Sequence, residues 1–310
     1  MKFAIIGAGG LGGYFGAKLA AAGHDVGFVV RGRTLGALRT GGLHVIGESQ
    51  IDLPTVTATD DADDIGPVDA VLLTVKTWQL PEVVYHLDRL VGPSTLVLTM
   101  QNGIRTPEQV AELVGREHVA PAIVRVYAKI DRPGRIDHMG GPGTVTTSTW
   151  DTTGTPQIEA VRAAFEASGI GSPRVDDIWV DLWEKAVYMI PYGLLGALSG
   201  LPVGGLRTTL RAEFAATMAE VAAVGRARGV ALSGDVVERT LGFADSMPAQ
   251  ATSSMQRDLL EGRPSELEAL GGDIVRSGRE TGVPVPRHEL LYSVLSLWEA
   301  IARQTPGAGR

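Results

Sequence analysis

The sequence predicts an α/β domain built on a Rossmann-type, doubly wound parallel sheet, followed by an all-α helical domain. Three observations predict it. A strand, glycine turn, helix, strand unit opens the chain, and short β-branched runs alternate with helical patterns through the first half. From about residue 177 long helical patterns take over. Alternating strands and helices imply a parallel sheet covered on both faces. The division is placed at 174/175, with residues 1–174 binding nucleotide and residues 175–310 forming a helical domain for substrate and dimerisation.

The opening unit carries the most information. The apolar run Lys2-Phe3-Ala4-Ile5-Ile6 leads into Gly7-Ala8-Gly9-Gly10-Leu11-Gly12, then a helical segment to Gly23 and a second apolar run over 26–30 that closes on Arg31. In that context GxGxxG is a dinucleotide-binding fingerprint. Gly7 permits the tight turn, Gly9 lets the backbone approach a pyrophosphate, and Gly12 lets helix and strand pack closely, with the phosphates at the positive end of the helix. An NAD site usually ends the second strand with Asp or Glu for the ribose 2′-hydroxyl. Here Val29-Val30-Arg31-Gly32-Arg33 offers guanidinium groups and no carboxylate. Paired, charge-assisted bonds to a 2′-phosphate suit such groups, so the expected cofactor is NADP(H).

Further strands are expected at 69–75, 95–99 and 119–126, with helices over 81–91 and 106–114 between them. Residues 131–149 read as appended hairpin strands, 158–168 as a helix, and 174–175 as part of one more short strand. Helical patterns then cover 178–199, 210–228, 234–246, 255–260, 265–282 and 286–303, with a frayed tail at 304–310.

Composition narrows the function. The chain has 310 residues, 44% apolar and 20% charged, with net charge −7 and no cysteine. Those are the proportions of an ordinary soluble globular protein. No Lys/Arg block is present, which argues against nucleic acid. The lack of cysteine excludes disulfides, thiol nucleophiles and thiolate metal sites. The six histidines form no close-spaced pair, so no metal is expected. The N-terminus has no basic leader before its first strand, and the uncharged run 186–206 is broken by Pro191 and Pro202. It reads as buried helix rather than membrane span. A cytoplasmic protein with a small-molecule substrate follows. The apolar helical half leaves room for a homodimer, which no residue pattern decides.

Candidate reactive groups lie at two strand ends and along the helical half. Leu73-Thr74-Val75-Lys76 and Leu98-Thr99-Met100-Gln101-Asn102-Gly103 place a cation and an amide where an open α/β sheet delivers ligand contacts. Lys76 reads equally as a solvated lysine and Asn102-Gly103 as a turn. Trp183-Glu184-Lys185 places a lysine at the mouth of the apolar run, where spacing favours snorkelling to solvent over a place in the cleft. Ser254 or Ser265 could simply cap a helix, and Glu266 could lie in a first turn.

Taken in order, GxGxxG, TVK, QNG, WxK, SSMxxD and a later Glu resemble the ketopantoate reductase family, over about residues 1–270. The resemblance implies an NADP-binding α/β domain and a helical domain with the active site in the cleft between them. It implies that Gly7, Ala8, Gly9, Gly10, Leu11 and Gly12 hold the pyrophosphate and Arg31 the 2′-phosphate. Lys76 and Asn102 then line the cofactor and substrate pocket, Lys185 is the proton donor, Ser254 contacts substrate, and Glu266 is the acid that meets the cofactor.

The departures bear on the substrate. Three positions at which the family usually has Asn correspond to Met189, Gly193 and, less securely, Val203. Lys185, Met189 and Gly193 share one helix face, so the lost amides would have faced the substrate. A substrate built to use them is penalised, and the pocket is expected to be more apolar and, at Gly193, roomier. The expectation is therefore an NADPH-dependent reductase of a small ketone or 2-oxo acid less polar than ketopantoate. Reduction of ketopantoate itself, the 2-dehydropantoate 2-reductase reaction of pantothenate biosynthesis, is the alternative. A non-catalytic, redox-responsive NADP-binding module is a second one.

Overall fold

A computed structural model describes residues 1–304; of the tail expected to fray at 304–310, Gln304 ends the last helix and 305–310 lie outside the described residues. The chain forms two compact units, Met1–Gln101 with Thr106–Ile178, and Asn102–Arg105 with Trp179–Arg310. The short excursion of Asn102–Arg105 into the second unit has no mark in the composition.

The first unit runs β1 (Lys2–Ile6), α1 (Gly10–Ala21), β2 (Asp25–Val29), α2 (Gly32–Gly41), β3 (Leu43–Gly47), β4 (Ile51–Leu53), β5 (Thr57–Thr59), β6 (Ala70–Leu73), α3 (Leu87–Leu90), β7 (Leu96–Thr99), α4 (Thr106–Val114), β8 (Val119–Arg132), β9 (Arg135–Thr147) and α5 (Pro156–Ala167). The strands form one nine-stranded sheet in the order β4-β3-β9-β8-β7-β6-β1-β2-β5. From β8 to β5 every pairing is parallel, which is the doubly wound nucleotide-binding order. The strands β8 and β9 form an antiparallel hairpin that carries β3 and β4 on its far side. The chain leaves β1 for β2 on one side and returns to β6 on the other. The carboxyl ends of β1 and β6 therefore flank the switch point, where ligands bind in such sheets.

Alternation along the strands builds two cores. Phe3, Ile5, Leu72 and Leu98 enter one layer with Phe15, Leu19 and Phe165. Ala4, Ile6, Val71, Leu73 and Val97 enter the opposite layer with Leu87, Leu90 and Val110. Each of the larger side chains contributes about 1.5–3 kcal/mol of burial, and a strand buried on both faces reads as an unbroken apolar run.

Two local expectations are corrected, and four elements are added. Residues 81–91 form 3-10 turns at Thr77–Glu82 and Val84–His86 and only one turn of α-helix, α3. Pro81 lies inside the first of these turns and cannot donate an N–H there. No strand forms at 174–175; Pro173 precedes it, and the nearby pairing is a single bridge between Thr144 and Gly171. The elements α2, β3, β4 and β5 were not anticipated, being short and lacking a long apolar period.

The second unit contains α6 (Ile178–Ser199, whose first residue belongs to the first unit), α7 (Val203–Leu206), α8 (Arg211–Ala227), α9 (Val236–Ser246), α10 (Ser254–Leu260), α11 (Asp273–Thr281) and α12 (Pro286–Gln304). A π-helical turn, Glu268–Gly272, leads into α11. The uncharged run 186–206 is not one helix: α6 ends at Ser199, Gly200 takes φ +70°, and α7 follows. Trp183, Val187, Ile190, Leu194, Phe214, Met218 and Val221 are buried within the unit. A Cβ on Gly225 of α8 would stand 2.7 Å from the Trp183 ring, so α6 and α8 approach closely there. Glu220 of α8 holds the start of α12, accepting from the backbone N–H of Arg287 at 3.0 Å and of His288 at 3.1 Å. His288 Nδ1 lies 2.8 Å from the same carboxylate. Among the described residues no helix is long and apolar enough to cross a membrane.

Candidate active site

The glycine turn after β1 is a site made of backbone. Gly7 takes φ +93°, which favours glycine, and a Cβ there would meet Val75 Cγ1 at 2.8 Å. Gly12 has less room still: its Cβ would stand 1.9 Å from Gly7 O and 2.3 Å from Thr74 Oγ1. Gly9, the N-cap of α1, is different. No side chain caps this helix, and nothing lies within 4 Å of a Cβ placed on Gly9. The turn thus leaves open space beside the first-turn amides of a 12-residue helix, the setting in which a helix N-terminus takes an anion. These residues fit a dinucleotide pyrophosphate. Thr74 adds a support that the motif alone did not reveal: its hydroxyl donates to Gly7 O at 2.6 Å and lies 3.0 Å from Ile6 O. It pins the turn to the end of β6.

Arg31 follows β2 as the N-cap residue of α2 and is exposed, as is Arg33. The Arg31 guanidinium pairs with the carboxylate of Glu82, a partner that sequence reading missed. Lys76 lies just beyond β6 and is partly buried; its backbone N–H donates to Gln79 Oε1 at 3.2 Å.

The second unit brings together three of the expected groups. Lys185, on α6, donates from Nζ to Asn102 Oδ1 at 3.1 Å. Asn102 Nδ2 in turn donates to Glu266 Oε2 at 3.4 Å. Glu266 is only 3% exposed and lies just ahead of the π-helical turn, an irregularity frequent at functional sites. The bonding is directional. An ammonium only donates and a carboxylate only accepts, so the amide is oriented by its neighbours with its oxygen toward the lysine.

Ion pairs fix the surroundings. Arg105, three residues after Asn102, binds Glu280 at 2.8 Å, and Arg228 approaches the same carboxylate at 3.4 Å. Asp273, at the start of α11, is buried against Arg276 at 2.5 Å. Burial pushes its carboxyl above the usual range, although Arg276 opposes this.

Several expectations change at the side-chain level. The cap of α10 is Ser253, whose Oγ accepts from the Gln256 N–H at 3.0 Å; Ser254 is the first helical residue and is exposed. Ser265 bonds Glu299 at 2.9 Å and accepts from the Leu267 N–H at 3.2 Å. Gly193 is not roomier. A Cβ there would meet Met255 Cε at 2.4 Å, so the space released by the small residue is taken by methionine. Met189 is partly exposed, four residues from Lys185 on α6. Val203 is fully buried in α7. On α6 Met189 follows Lys185 by one turn, and Gly193 is covered by Met255, with Ser253 Oγ 3.5 Å from a Cβ placed there.

A family model described as Ketopantoate reductase PanE/ApbA matches residues 3–152, and one described as Ketopantoate reductase PanE/ApbA C terminal matches residues 177–299. A crystal structure of a PanE/ApbA family ketopantoate reductase from Ralstonia eutropha JMP134 superposes with a TM-score of 0.88. It is 32% identical and covers 98% of this chain and 100% of its own. A 2-dehydropantoate 2-reductase of Caulobacter vibrioides is 31% identical over 76% of this chain and 79% of its own length. A Bacillus subtilis protein described as uncharacterized oxidoreductase YkpB is 27% identical over 97% of this chain and 99% of its own.

Proposed function

The chain belongs to the ketopantoate reductase family, an NADP-dependent oxidoreductase family acting on carbonyl groups, and from that premise we propose that it reduces a small ketone or 2-oxo acid with an apolar substituent. The observation that carries this reading is the Lys185–Asn102–Glu266 chain, with Met189 one turn along α6 and Met255 of α10 packed over Gly193.

Gly7, Ala8, Gly9, Gly10, Leu11 and Gly12 would hold the pyrophosphate of NADPH and Arg31 its 2′-phosphate, and the cofactor would supply the hydride for the carbonyl carbon. The protein's own part concerns the oxygen. Negative charge builds there, and Lys185 Nζ meets it, first as a charge-assisted donor and then as the source of the proton. Asn102 holds Nζ in place through its carbonyl oxygen. Glu266 fixes that amide from the other side and keeps it from turning over. Ser254, exposed on the first turn of α10, orients the substrate, and Lys76 supplies a cation to cofactor or carboxylate.

The substrate preference rests on the same helix face. A polar substrate such as ketopantoate finds thioether and glycine there instead of amides, and unpaired polar groups lower the rate by large factors. An apolar substituent fits beside Met189, whose thioether adapts to irregular shapes, while the buried Met255 closes the space over Gly193. A cytoplasmic location and a homodimer formed through the helical unit belong to this reading.

NADPH oxidation followed at 340 nm tests it, with ketopantoate beside bulkier and less polar ketones and 2-oxo acids. The reading expects kcat/KM to be higher by about tenfold or more on a less polar carbonyl. Ketopantoate as the best substrate would mean that other groups replace the amides. Cofactor binding with no turnover on any carbonyl would mean a non-catalytic module.

A further inference from the structure

The cation read as a 2′-phosphate anchor carries an acid on its guanidinium. Arg31 follows β2 and Glu82 closes the 3-10 turn beyond β6, 51 residues away in sequence. In the sheet β1 lies between β2 and β6, so the pair connects the loops on either side of the strand that delivers Gly7. Both side chains face solvent, at 64% and 47% exposure. The end of β2 itself has no carboxylate for a ribose hydroxyl. The fold brings one there from a different loop.

We propose that Glu82 sets the choice between a 2′-phosphate and a 2′-hydroxyl, so that the site takes NADH as well as NADPH; this rests on reading residues 7–12 and Arg31 as the dinucleotide site. A phosphate monoester carries nearly two negative charges and accepts hydrogen bonds, so it draws Arg31 and repels Glu82. An exposed ion pair is weak. The phosphate can therefore take the guanidinium while the carboxylate turns to water, at a cost to NADPH affinity. A 2′-hydroxyl has the opposite requirement. It donates, and Glu82 accepts, held in place by the Arg31 that a phosphate would otherwise occupy. No rearrangement of the turn is needed in either case, because only two exposed side chains change partner.

The test is a fluorescence titration of NADPH and of NADH with wild type, Glu82→Gln and Arg31→Ala. Glu82→Gln removes the charge and keeps the shape. It is expected to tighten NADPH by about 5-fold and weaken NADH by about 5-fold, each a surface-pair magnitude. Glu82→Ala is expected to shift both in the same directions. Arg31→Ala is expected to weaken NADPH by about 30-fold or more relative to NADH, the loss of a charge-assisted pair. If both Glu82 variants move the two cofactors by the same factor, or move neither, Glu82 does not read the 2′ position and the proposal falls. If Arg31→Ala leaves NADPH affinity unaltered, the 2′-phosphate reading itself fails, and that failure is visible separately from the first.

Discussion

The glycine turn and the Lys185 site are built in opposite ways. At the turn the recognising groups are backbone amides, and the side chains matter by their absence: Gly12 has no room for a Cβ, and Gly9 has open space where a ligand would come. At Lys185 the recognising groups are side chains from three separate stretches of chain, joined end to end through one amide. A backbone site is encoded locally, in six consecutive residues. A side-chain site is encoded by the whole fold of its unit, and each member depends on others to aim it.

The largest effect expected at the turn comes from Gly12→Ala. Its Cβ would overlap Gly7 O and Thr74 Oγ1, so α1 must move off the sheet. A loss of about 3 kcal/mol in stability, with loss of NADPH binding, should appear in a denaturant titration and a fluorescence titration. Gly9→Ala sharpens the contrast. It meets nothing and its backbone is not left-handed, so stability should stay within about 0.5 kcal/mol. NADPH affinity should nonetheless fall by about 10-fold or more, because the methyl stands where the phosphates approach. Equal behaviour of the two variants would break the account of the turn.

Away from both sites, Glu220 is a side chain that does the work of backbone capping. Burial opposes ionisation of Glu220, but bonds from His288 and from the backbone N–H groups of Arg287 and His288 outweigh it. They hold the carboxyl below the usual range. The stability gained is present above the ordinary glutamate pKa and is lost as pH falls through the lowered folded value. Glu220→Gln should cost about 1–2 kcal/mol at neutral pH and flatten the acid limb of a stability–pH profile. An unchanged acid limb would show that these bonds do not favour the ionised form.

Legibility in the sequence followed the same division. The βαβ unit, the strand–helix alternation and most of the later helices were readable because each depends on a local period. Gly7, Gly9 and Gly12 were readable for the same reason. Asn102 was readable as a strand-end amide and Lys185 as a lysine with two open readings, but only the order of motifs along the chain joined them to Glu266, since no spacing brings residues 102, 185 and 266 together. The pairing of Glu82 with Arg31 left no trace at either position. Met255 over Gly193 was also invisible, and a missing side chain was read as space when a neighbour had filled it. The turn at Pro81 was misread because apolar spacing outlasts the loss of a backbone donor.

The measurement that tests this account most directly is Lys185→Ala, with NADPH affinity and single-turnover reduction of the best carbonyl measured on the same protein. If cofactor grip belongs to the turn and proton delivery to Lys185, NADPH should bind within about 3-fold of wild type. The chemical step should slow by about 10²–10⁴-fold. A reduction rate close to wild type, or a loss of affinity as large as the loss of rate, would contradict the division of labour between backbone and side chain.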